Sequence, residues 1–491
     1  MKKTFAICLL IALLGNAMLS GCGDAGVSSD TSLVENVSAA DETDAPSAET
    51  GIAPVEAVDM NGDTMTILVS GLNGTDFLFD EFYAEGTTGD VVNDAIFQRN
   101  SVMQEKYNMV IETVDASQNG IVFDVQKVVQ AGEDVYDMIA AALSHAMTCG
   151  IRGYLMDLRT VPHLQFDEKW WHTSILEDIS VNNKNFCMIG AANLRAYESL
   201  PVLYFNKKIL KEADLEMPYE YVLDGTWTLD TLKTYCQKVS EDVNGDGRMN
   251  HNDKYGLGLN SYGALTFSYG SGVQFVLKDN NDIPYLELND ERFTTFFQDF
   301  IEMVSDKQTI MLGERMPDRI ETINKAFKED RLLFLNEILN RTTLFRDMDT
   351  DYGIVPMPKQ DEAQEKYHAF PSEGSSSTCA IPVTCSDPDT VGRLVEDLNR
   401  FSYEYSRPAY LDAALKNKYV RDENSAEVLE IVLDSMTVDL SLVFSTDMGL
   451  TTILRNQTVN CDDNIVSAFA ANKTKLERYL ESVVNEMNEA E

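Results

Sequence analysis

The chain has 491 residues, of which 44% are hydrophobic, so it is long enough to form two or three domains with real cores. It carries 80 acidic and 39 basic residues, which gives a formal net charge of −41 at pH 7. Such a surface repels nucleic-acid phosphates and anionic lipid head groups. We therefore exclude nucleic acid as a partner and expect membrane contact only through a covalent anchor.

The first 21 residues have the order of a secretory signal peptide. Two lysines precede an apolar run over residues 5–19, which is too short to span a membrane comfortably. The next feature, Leu-Ser-Gly-Cys at 19–22, resembles the bacterial lipobox, in which the cysteine receives a diacylglycerol and becomes the mature N-terminus. The resemblance implies a protein anchored by lipid on Cys22 at the extracellular face of the cell membrane.

Residues 22–62 are predicted to form a disordered linker. They are rich in Ser, Ala, Thr, Asp and Glu and show no apolar periodicity, so they bury too little surface to offset the entropy of ordering. Strand and helix patterns then alternate: apolar runs predict strands over 64–69, 109–114 and 137–141, and helical spacing predicts helices over 93–107 and 123–131. This alternation predicts a parallel sheet covered by helices.

The middle of the chain continues the α/β pattern, and its end is helical. Strands are predicted over 202–205, 331–335 and 351–356, and Thr228 is predicted to cap a helix over 229–239. Trp227, at the start of that helix, is assigned to packing. From Val391 onward helices dominate, and the last is predicted over 465–487.

Six cysteines remain once Cys8 and Cys22 are assigned to the signal peptide and the anchor. They contain no CxxC pair, and a chain of this size does not need a disulfide framework, so we predict buried free thiols. Cys379 and Cys385 flank a short strand-like segment, and a bridge between them stays open.

Residues 242–253 have the spacing of a calcium-binding loop, with Gly247 at the sharp turn in position six. The loop resembles the dockerin type, because it closes with Asp rather than Glu. It predicts a structural Ca²⁺ site, against two alternatives: a plain Asn/Gly/Asp turn, or a loop filled only at high metal concentration. The predicted ligands are Asp242, Asn244, Asp246, the carbonyl of Arg248, Asn250 and Asp253.

Several stretches in chain order resemble one family: a first helix at 93–108, Gly-Tyr-Leu-Met-Asp-Leu at 153–158, Leu-Tyr-Phe-Asn-Lys at 203–207, Gly-Thr-Trp-Thr at 225–228, Asp-Lys-Tyr-Gly at 253–256 after the calcium-type loop, and Asp-Tyr-Gly-Ile-Val-Pro-Met-Pro at 351–358. The chain resembles the extracellular solute-binding proteins of bacterial ABC importers, in family 1, which takes up sugars and oligosaccharides. Together the stretches span nearly all of the chain after the linker.

The resemblance implies a two-lobed, type II periplasmic-binding-protein-like α/β fold in which each lobe is a sheet flanked by helices. The N-terminal lobe is predicted over 63–193 plus 376–425, and the C-terminal lobe over 194–375 plus 426–491. Crossings between the lobes are predicted near 192–199, 371–380 and 421–428. The family also implies a monomer that is not an enzyme, encloses a carbohydrate between its lobes and delivers it to ABC permease subunits.

A sugar site needs flat aromatic rings and planar hydrogen-bonding groups. Adjacent residues diverge on a regular element, so at most one of two neighbouring tryptophans is expected at the cleft, and both packing at the lobe edge is the alternative. Glu198 is weighed against a solvated hinge charge, and the loop carrying Tyr269 lines the pocket or plugs a lobe. The candidate ligand-binding residues are Trp170, Trp171, Tyr197, Glu198, Tyr269, Asn336, Glu337 and Glu373.

Other functions fit the sequence less well. A non-sugar, peptide-like polar solute is the main alternative ligand, because the family varies its pocket loops freely. A secreted lipoprotein hydrolase is disfavoured, since the sequence has no GxSxG, no HExxH and no phosphate-binding glycine loop. A zinc-uptake protein needs clustered histidines, and the five present are scattered. A surface adhesin is the third alternative.

Overall fold

The computed structural model describes residues 55–70, 80–117, 120–345, 347–416, 423–444 and 448–489. The predicted signal peptide, Cys22 and most of the predicted linker lie outside these residues. The last linker residues, 55–62, pack on the folded body: the amide of Met60 donates to the carbonyl of Tyr107 at 2.9 Å, and Lys106 Nζ donates to the carbonyl of Val55 at 2.8 Å. The linker prediction is therefore too long at this end, because these bonds offset the entropy of ordering.

The elements with a predicted range fall close to it, and the structure adds others. The strands are β1 (Thr64–Val69), β2 (Val110–Asp115), β3 (Met138–Ala140), β4 (Pro201–Asn206), β5 (Tyr255–Leu259), β6 (Val276–Lys278), β7 (Pro284–Leu286), β8 (Ile310–Leu312), β9 (Leu332–Ile338) and β10 (Tyr352–Pro356). The helices are α1 (Val91–Tyr107), α2 (Ile121–Ala131), α3 (Leu143–Ile151), α4 (Ser174–Asp178), α5 (Leu194–Glu198), α6 (Lys207–Glu212), α7 (Tyr219–Leu223), α8 (Leu229–Val239), α9 (Gly263–Gly270), α10 (Glu291–Ser305), α11 (Ile320–Lys328), α12 (Pro388–Glu404), α13 (Ser406–Lys416), α14 (Glu423–Asp434), α15 (Leu440–Val443), α16 (Leu450–Asn460) and α17 (Ile465–Glu489).

The first sheet is parallel, as predicted, with the order β2-β1-β3. A later segment returns to it, because Ala380 forms a bridge with Ile139 and Cys379 forms one with Met188. Helix α1 packs on β2 and also contacts α12 and α13. Its N-cap, Asp90, accepts hydrogen bonds from the amides of Val92 and Asn93, which fixes where the helix begins.

The second sheet has five strands in the order β10-β4-β9-β5-β8. Strand β4 runs antiparallel to both of its neighbours, whereas β5 runs parallel to β8 and β9. Helices α8 and α11 pack on it, and α14 packs on β10. Trp227 is fully buried there and donates its indole N–H to the carbonyl of Pro356 at 3.0 Å, which confirms its packing role. Thr228 caps α8, as predicted.

All six cysteines after Cys22 are free thiols. Cys149, Cys187, Cys236 and Cys379 are buried, as predicted, whereas Cys385 and Cys461 are half-buried. Cys379 and Cys385 are not bridged. Within the described ranges, no helix combines the length and the hydropathy that a membrane crossing requires.

A carboxylate on α12 organises the core near the paired tryptophans. The indole N–H groups of Trp170 and Trp171 donate to the two oxygens of Glu396, each at 2.9 Å, and the amide of Gln165 adds a third bond at 3.1 Å. Burial raises the pKa of Glu396, and these donors oppose that rise. The carboxylate thus satisfies three donors that would otherwise be buried without an acceptor.

We expect Glu396→Gln to lower the free energy of unfolding by about 1–3 kcal/mol, because the new amide NH₂ group faces donors that need an acceptor. Urea denaturation measures the loss. The matched control is Glu404→Gln on the same helix, where the side chain is 49% exposed. Equal losses in the two variants would contradict this role of Glu396.

Candidate functional site

A cavity of about 340 Å³ lies where segments connected to the two sheets meet. The lining comes from the segment after β1, the start of α1, α5 and residues just after β9. Helix α13 contributes Tyr410. The polar and aromatic lining residues are Asp80, Glu81, Tyr83, Asp90, Asn93, Arg195, Glu198, Asn340, Thr342 and Tyr410.

Arg195 lies between several carboxylates of this cavity. Its guanidinium forms ion pairs with Asp80 at 2.7 Å and with Glu198, and its Nε lies 3.9 Å from Glu81 Oε2. Burial acts to lower the pKa of Arg195, but the three carboxylates outweigh it and raise that pKa. The guanidinium therefore stays charged and holds the segment after β1 against α5.

Glu198 is connected to the segment after β9. Its carboxylate accepts a hydrogen bond from Asn340 Nδ2 at 3.2 Å, in addition to its ion pair with Arg195. Burial raises the pKa of Glu198, and Arg195 opposes that rise. The contact with Asn340 joins α5 to the segment after β9.

Glu81 is almost completely buried, with 2% of its surface exposed. Ser377 Oγ donates a hydrogen bond to its Oε1. Burial raises the pKa of Glu81 to about 8, although Ser377 and Arg195 act in the opposite direction. The folded chain therefore retains a proton at Glu81 that the unfolded chain releases.

Ser377, the hydrogen-bond partner of Glu81, also belongs to a buried polar network. Asn193 Nδ2 donates to Ser377 Oγ at 3.2 Å, and Asn399 Oδ1 accepts from the amide of Ala192 at 3.1 Å. Gly190 admits this close approach, because a Cβ there would lie 2.1 Å from Asn399 Oδ1. Residues 190–193 and 377–379 belong to or adjoin the first two predicted crossings, so the network fixes them against each other. The third predicted crossing, near 421–428, falls partly outside the described residues.

Of the eight predicted ligand-binding residues, Glu198 lines this cavity. Two others, Glu337 and Glu373, act on Tyr262: burial raises the pKa of this tyrosine, and the charges of both carboxylates add to the rise. Glu337 also pairs with Arg341 at 3.4 Å. None of these residues lines the cavity at Arg195.

Both predicted tryptophans are in the core. Trp170 and Trp171 are each 4% exposed and converge on Glu396. Their indole rings converge because residues 161–171 form no regular helix or strand, so the divergence expected of neighbours on a regular element does not apply there. The placement favours the packing alternative over a sugar-stacking role.

Three further predicted residues are buried with internal partners and do not line this cavity. The Tyr197 hydroxyl lies 2.9 Å from His172 Nε2, and Asn336 Oδ1 accepts from Thr266 Oγ1 at 3.0 Å. The Tyr269 hydroxyl lies 2.6 Å from Ser441 Oγ. Tyr269 lines a separate cavity of about 190 Å³.

Sequence reasoning missed most of the lining. Tyr83, with 43% of its surface exposed, and Tyr410 supply the rings that the two tryptophans were expected to supply. Asp80, Glu81 and Tyr83 come 11 to 14 positions after β1 ends at Val69, too far along the chain for the end of the strand to predict their place in the site. Arg195 and Asn340 had no local signal.

The predicted calcium loop has an internally bonded geometry. Asp242 Oδ2 accepts from the amide of Gly247 at 2.7 Å, and the buried Asp253 accepts from the amides of Val243 and Asn250. Gly247 has the positive φ expected at position six, 79°. Across the described ranges, however, no three His, Cys, Asp or Glu side chains are grouped as a metal ion requires. The carboxylates bond to the loop's own amides instead, so the plain turn stays an alternative and the Ca²⁺ ligand set stays a prediction.

Comparison with known proteins gives the fold. No family model and no curated protein matches the sequence. An ABC substrate-binding protein from Listeria monocytogenes, in complex with cycloalternan, is 11% identical and covers 86% of this chain and 99% of its own, with a TM-score of 0.52. The apo form of RafE from Streptococcus pneumoniae is 14% identical and covers 84% of this chain and 97% of its own, with a TM-score of 0.54. UgpB from Mycobacterium tuberculosis, in complex with glycerophosphocholine, is 16% identical and covers 81% of this chain and 97% of its own, with a TM-score of 0.52. The predicted fold class, a periplasmic-binding-protein-like α/β fold with sheets flanked by helices, is confirmed.

The raised pKa of Glu81 predicts a pH dependence of stability. The folded state holds a proton that the unfolded state releases above about pH 4.5, so this contribution is complete below that pH and is lost as the pH rises through about 8. We expect the unfolding free energy of wild type, relative to Glu81→Gln, to fall by about 1 kcal/mol per pH unit between pH 5 and 8. Denaturant titrations at several pH values measure this difference.

The control for removing one charge is Glu85→Gln, at an exposed carboxylate four residues further along the chain. A difference between wild type and Glu81→Gln that does not change with pH would show that Glu81 is ionised in the folded protein.

Proposed function

We propose that this chain is an extracellular solute-binding protein of an ABC importer, anchored by lipid on Cys22. It captures a sugar or oligosaccharide between the parts of the chain that carry the two sheets and delivers it to a membrane permease. The observation that carries the proposal is the cavity at Arg195, which is lined from both sides. The shared fold with ABC binding proteins over 81–86% of the chain supports it.

The cavity offers the groups that a saccharide needs. Asp80 and Glu198 supply acceptors for hydroxyl groups, and Asn340 supplies both a donor and an acceptor. Tyr83 and Tyr410 supply rings that pack on an apolar sugar face. We infer that the two crossing segments held by Asn193 and Ser377 act as the hinge on which the lobes close over the ligand.

A non-sugar polar solute is the second candidate ligand, and one similar structure favours it. UgpB is bound to glycerophosphocholine, so this fold accommodates a solute that is not a saccharide. In either case we propose that the protein holds its ligand without converting it and acts as a monomer at the outer face of the membrane.

We also propose that the loop over residues 242–253 binds a structural Ca²⁺ ion. Its ligands would be Asp242, Asn244, Asp246, the carbonyl of Arg248, Asn250 and Asp253. The positive φ of Gly245 and Gly247 supports this proposal, because it curls the backbone as a calcium loop requires. The ion would fix the loop between α8 and β5.

A thermal-shift screen of the purified full chain against mono- and oligosaccharides tests the binding function. A ligand present at a hundredfold excess over its Kd stabilises the folded state by about 2.7 kcal/mol, which raises the melting temperature measurably. We expect at least one saccharide to do so and to be recovered unchanged. If peptides or other polar solutes give shifts and no saccharide does, the ligand class is wrong; chemical conversion of the ligand would contradict the non-enzymatic role.

Tyr83→Ala locates the binding site in the same experiment. We expect it to weaken binding of the ligand by about fivefold, since ring packing contributes on the order of 1 kcal/mol, without changing the melting temperature of the free protein. Tyr285→Ala removes a ring of similar exposure, 45% against 43%, on the short strand β7. Equal affinities of the two variants would place the site elsewhere.

Calcium is tested by comparing melting temperatures in calcium and in EDTA. We expect a higher melting temperature in calcium, because an ion that binds only the folded state stabilises it. Asp246→Asn should reduce the difference, whereas Asp230→Asn, at a 91% exposed carboxylate on α8, should preserve it. The same melting temperature in calcium and EDTA would favour the plain turn.

A further inference from the structure

We propose that the ligand carries a protonated amine, as a 2-amino sugar does, and that Glu81 receives this group. The inference rests on the proposed function, because it names the ligand class of the same cavity. Three observations lead to it: the balance of charge in the cavity, the unsatisfied oxygen of a buried carboxyl group, and the absence of metal-binding geometry among the described residues.

The carboxyl groups of the cavity outnumber its cationic groups. Its described lining includes four carboxyl side chains, those of Asp80, Glu81, Asp90 and Glu198, but one cationic side chain, Arg195. Arg195 is already shared among three of them, and Asp90 is occupied as the N-cap of α1. Even with the proton that Glu81 carries in the free protein, the other three carboxylates outnumber Arg195, and a cationic ligand would balance the site.

One oxygen of Glu81 is buried without a hydrogen-bond donor among the described residues. Its Oε1 accepts from Ser377, but no group in the described part of the chain donates a hydrogen bond to Oε2. Arg195 Nε lies 3.9 Å from Oε2, beyond hydrogen-bonding distance. A carboxyl group that is 2% exposed gains little from water, so a ligand donor at Oε2 would recover energy that burial costs.

The acidity of this site differs from that of the rest of the surface. A chain with 80 acidic residues presents many carboxylates to water, where each remains solvated and has no desolvation cost. Glu81 is instead buried, and burial raises its pKa. An ammonium group beside this carboxyl would favour its ionised form, so we expect Glu81 to release its proton to solvent when the amine binds.

A metal ion is a poorer match than an organic cation. In the ranges that the structure describes, no three carboxylate, imidazole or thiolate groups are placed to hold a metal. A protonated amine needs fewer acceptors, since it has three N–H donors and the hydroxyl groups of the same ligand can occupy Asn340 and Glu198. The volume of about 340 Å³ is within the range of small-ligand sites.

The experiment compares sugars that differ only in the group at C2. The purified full chain is titrated calorimetrically at pH 6.5 with the pairs glucosamine and glucose, galactosamine and galactose, mannosamine and mannose, and chitosan trisaccharide and cellotriose. For the pair that binds, we expect the amine to bind at least tenfold more tightly than the hydroxyl compound. We also expect Glu81→Gln to remove most of this preference and Glu133→Gln, at an exposed carboxylate, to retain it.

Each outcome decides the proposal. If the hydroxyl member of a pair binds as tightly as the amine or more tightly, the ligand class is overturned and saccharide binding stands. If no member of any pair binds while another saccharide in the thermal-shift screen does, the amine inference alone fails. If no saccharide binds in either experiment, the proposed sugar-binding function fails with it. A preference that survives in Glu81→Gln overturns the assignment to Glu81.

Discussion

Burial of polar groups where three chain segments meet is the constraint on which this structure depends. Arg99 is fully buried and donates to the carbonyl of Phe82 at 3.0 Å and to Ser402 Oγ at 3.1 Å, which ties the segment after β1 to α12. Glu81 adjoins Phe82 and accepts from Ser377 on the returning segment. Removing any partner would leave a buried donor or acceptor unsatisfied, so hydrogen-bond geometry restricts the relative placement of these segments in addition to apolar contact.

The same arrangement makes the cavity a product of long-range contacts. Arg195 and its partner Asp80 are 115 positions apart in the chain, and Asn340 lies 142 positions after Glu198. Charges from separate segments meet at one guanidinium, whose planar set of donors can serve several carboxylates at once. A site built in this way changes shape whenever the segments move, and this gives a solute-binding protein a physical link between occupancy and conformation.

Sequence predicts the parts of this fold that depend on local patterns. Apolar periodicity located β1 and α8 without error, and the Thr228 cap was correct, because backbone hydrogen bonding and side-chain burial repeat along regular elements. It did not predict that β4 runs antiparallel to β9, which depends on how the chain returns. Among site residues it found Glu198 but missed Tyr83 and Arg195, because loops have no period and their partners are distant. The expectation for Trp171 assumed that neighbouring side chains diverge, as they do on a helix or strand, but its segment forms neither.

The free thiols have a consequence for how the protein reaches its native state. No covalent cross-link joins the cysteines after Cys22, and the packing of the core and its polar network hold the chain together without one. Burial raises the pKa of Cys149, Cys187 and Cys379 to about 12, so these groups stay as thiols and react slowly with oxidants. The fold therefore needs neither a disulfide-forming catalyst nor an oxidising compartment, and it is equally accessible to an organism that lives without oxygen and to one that lives with it.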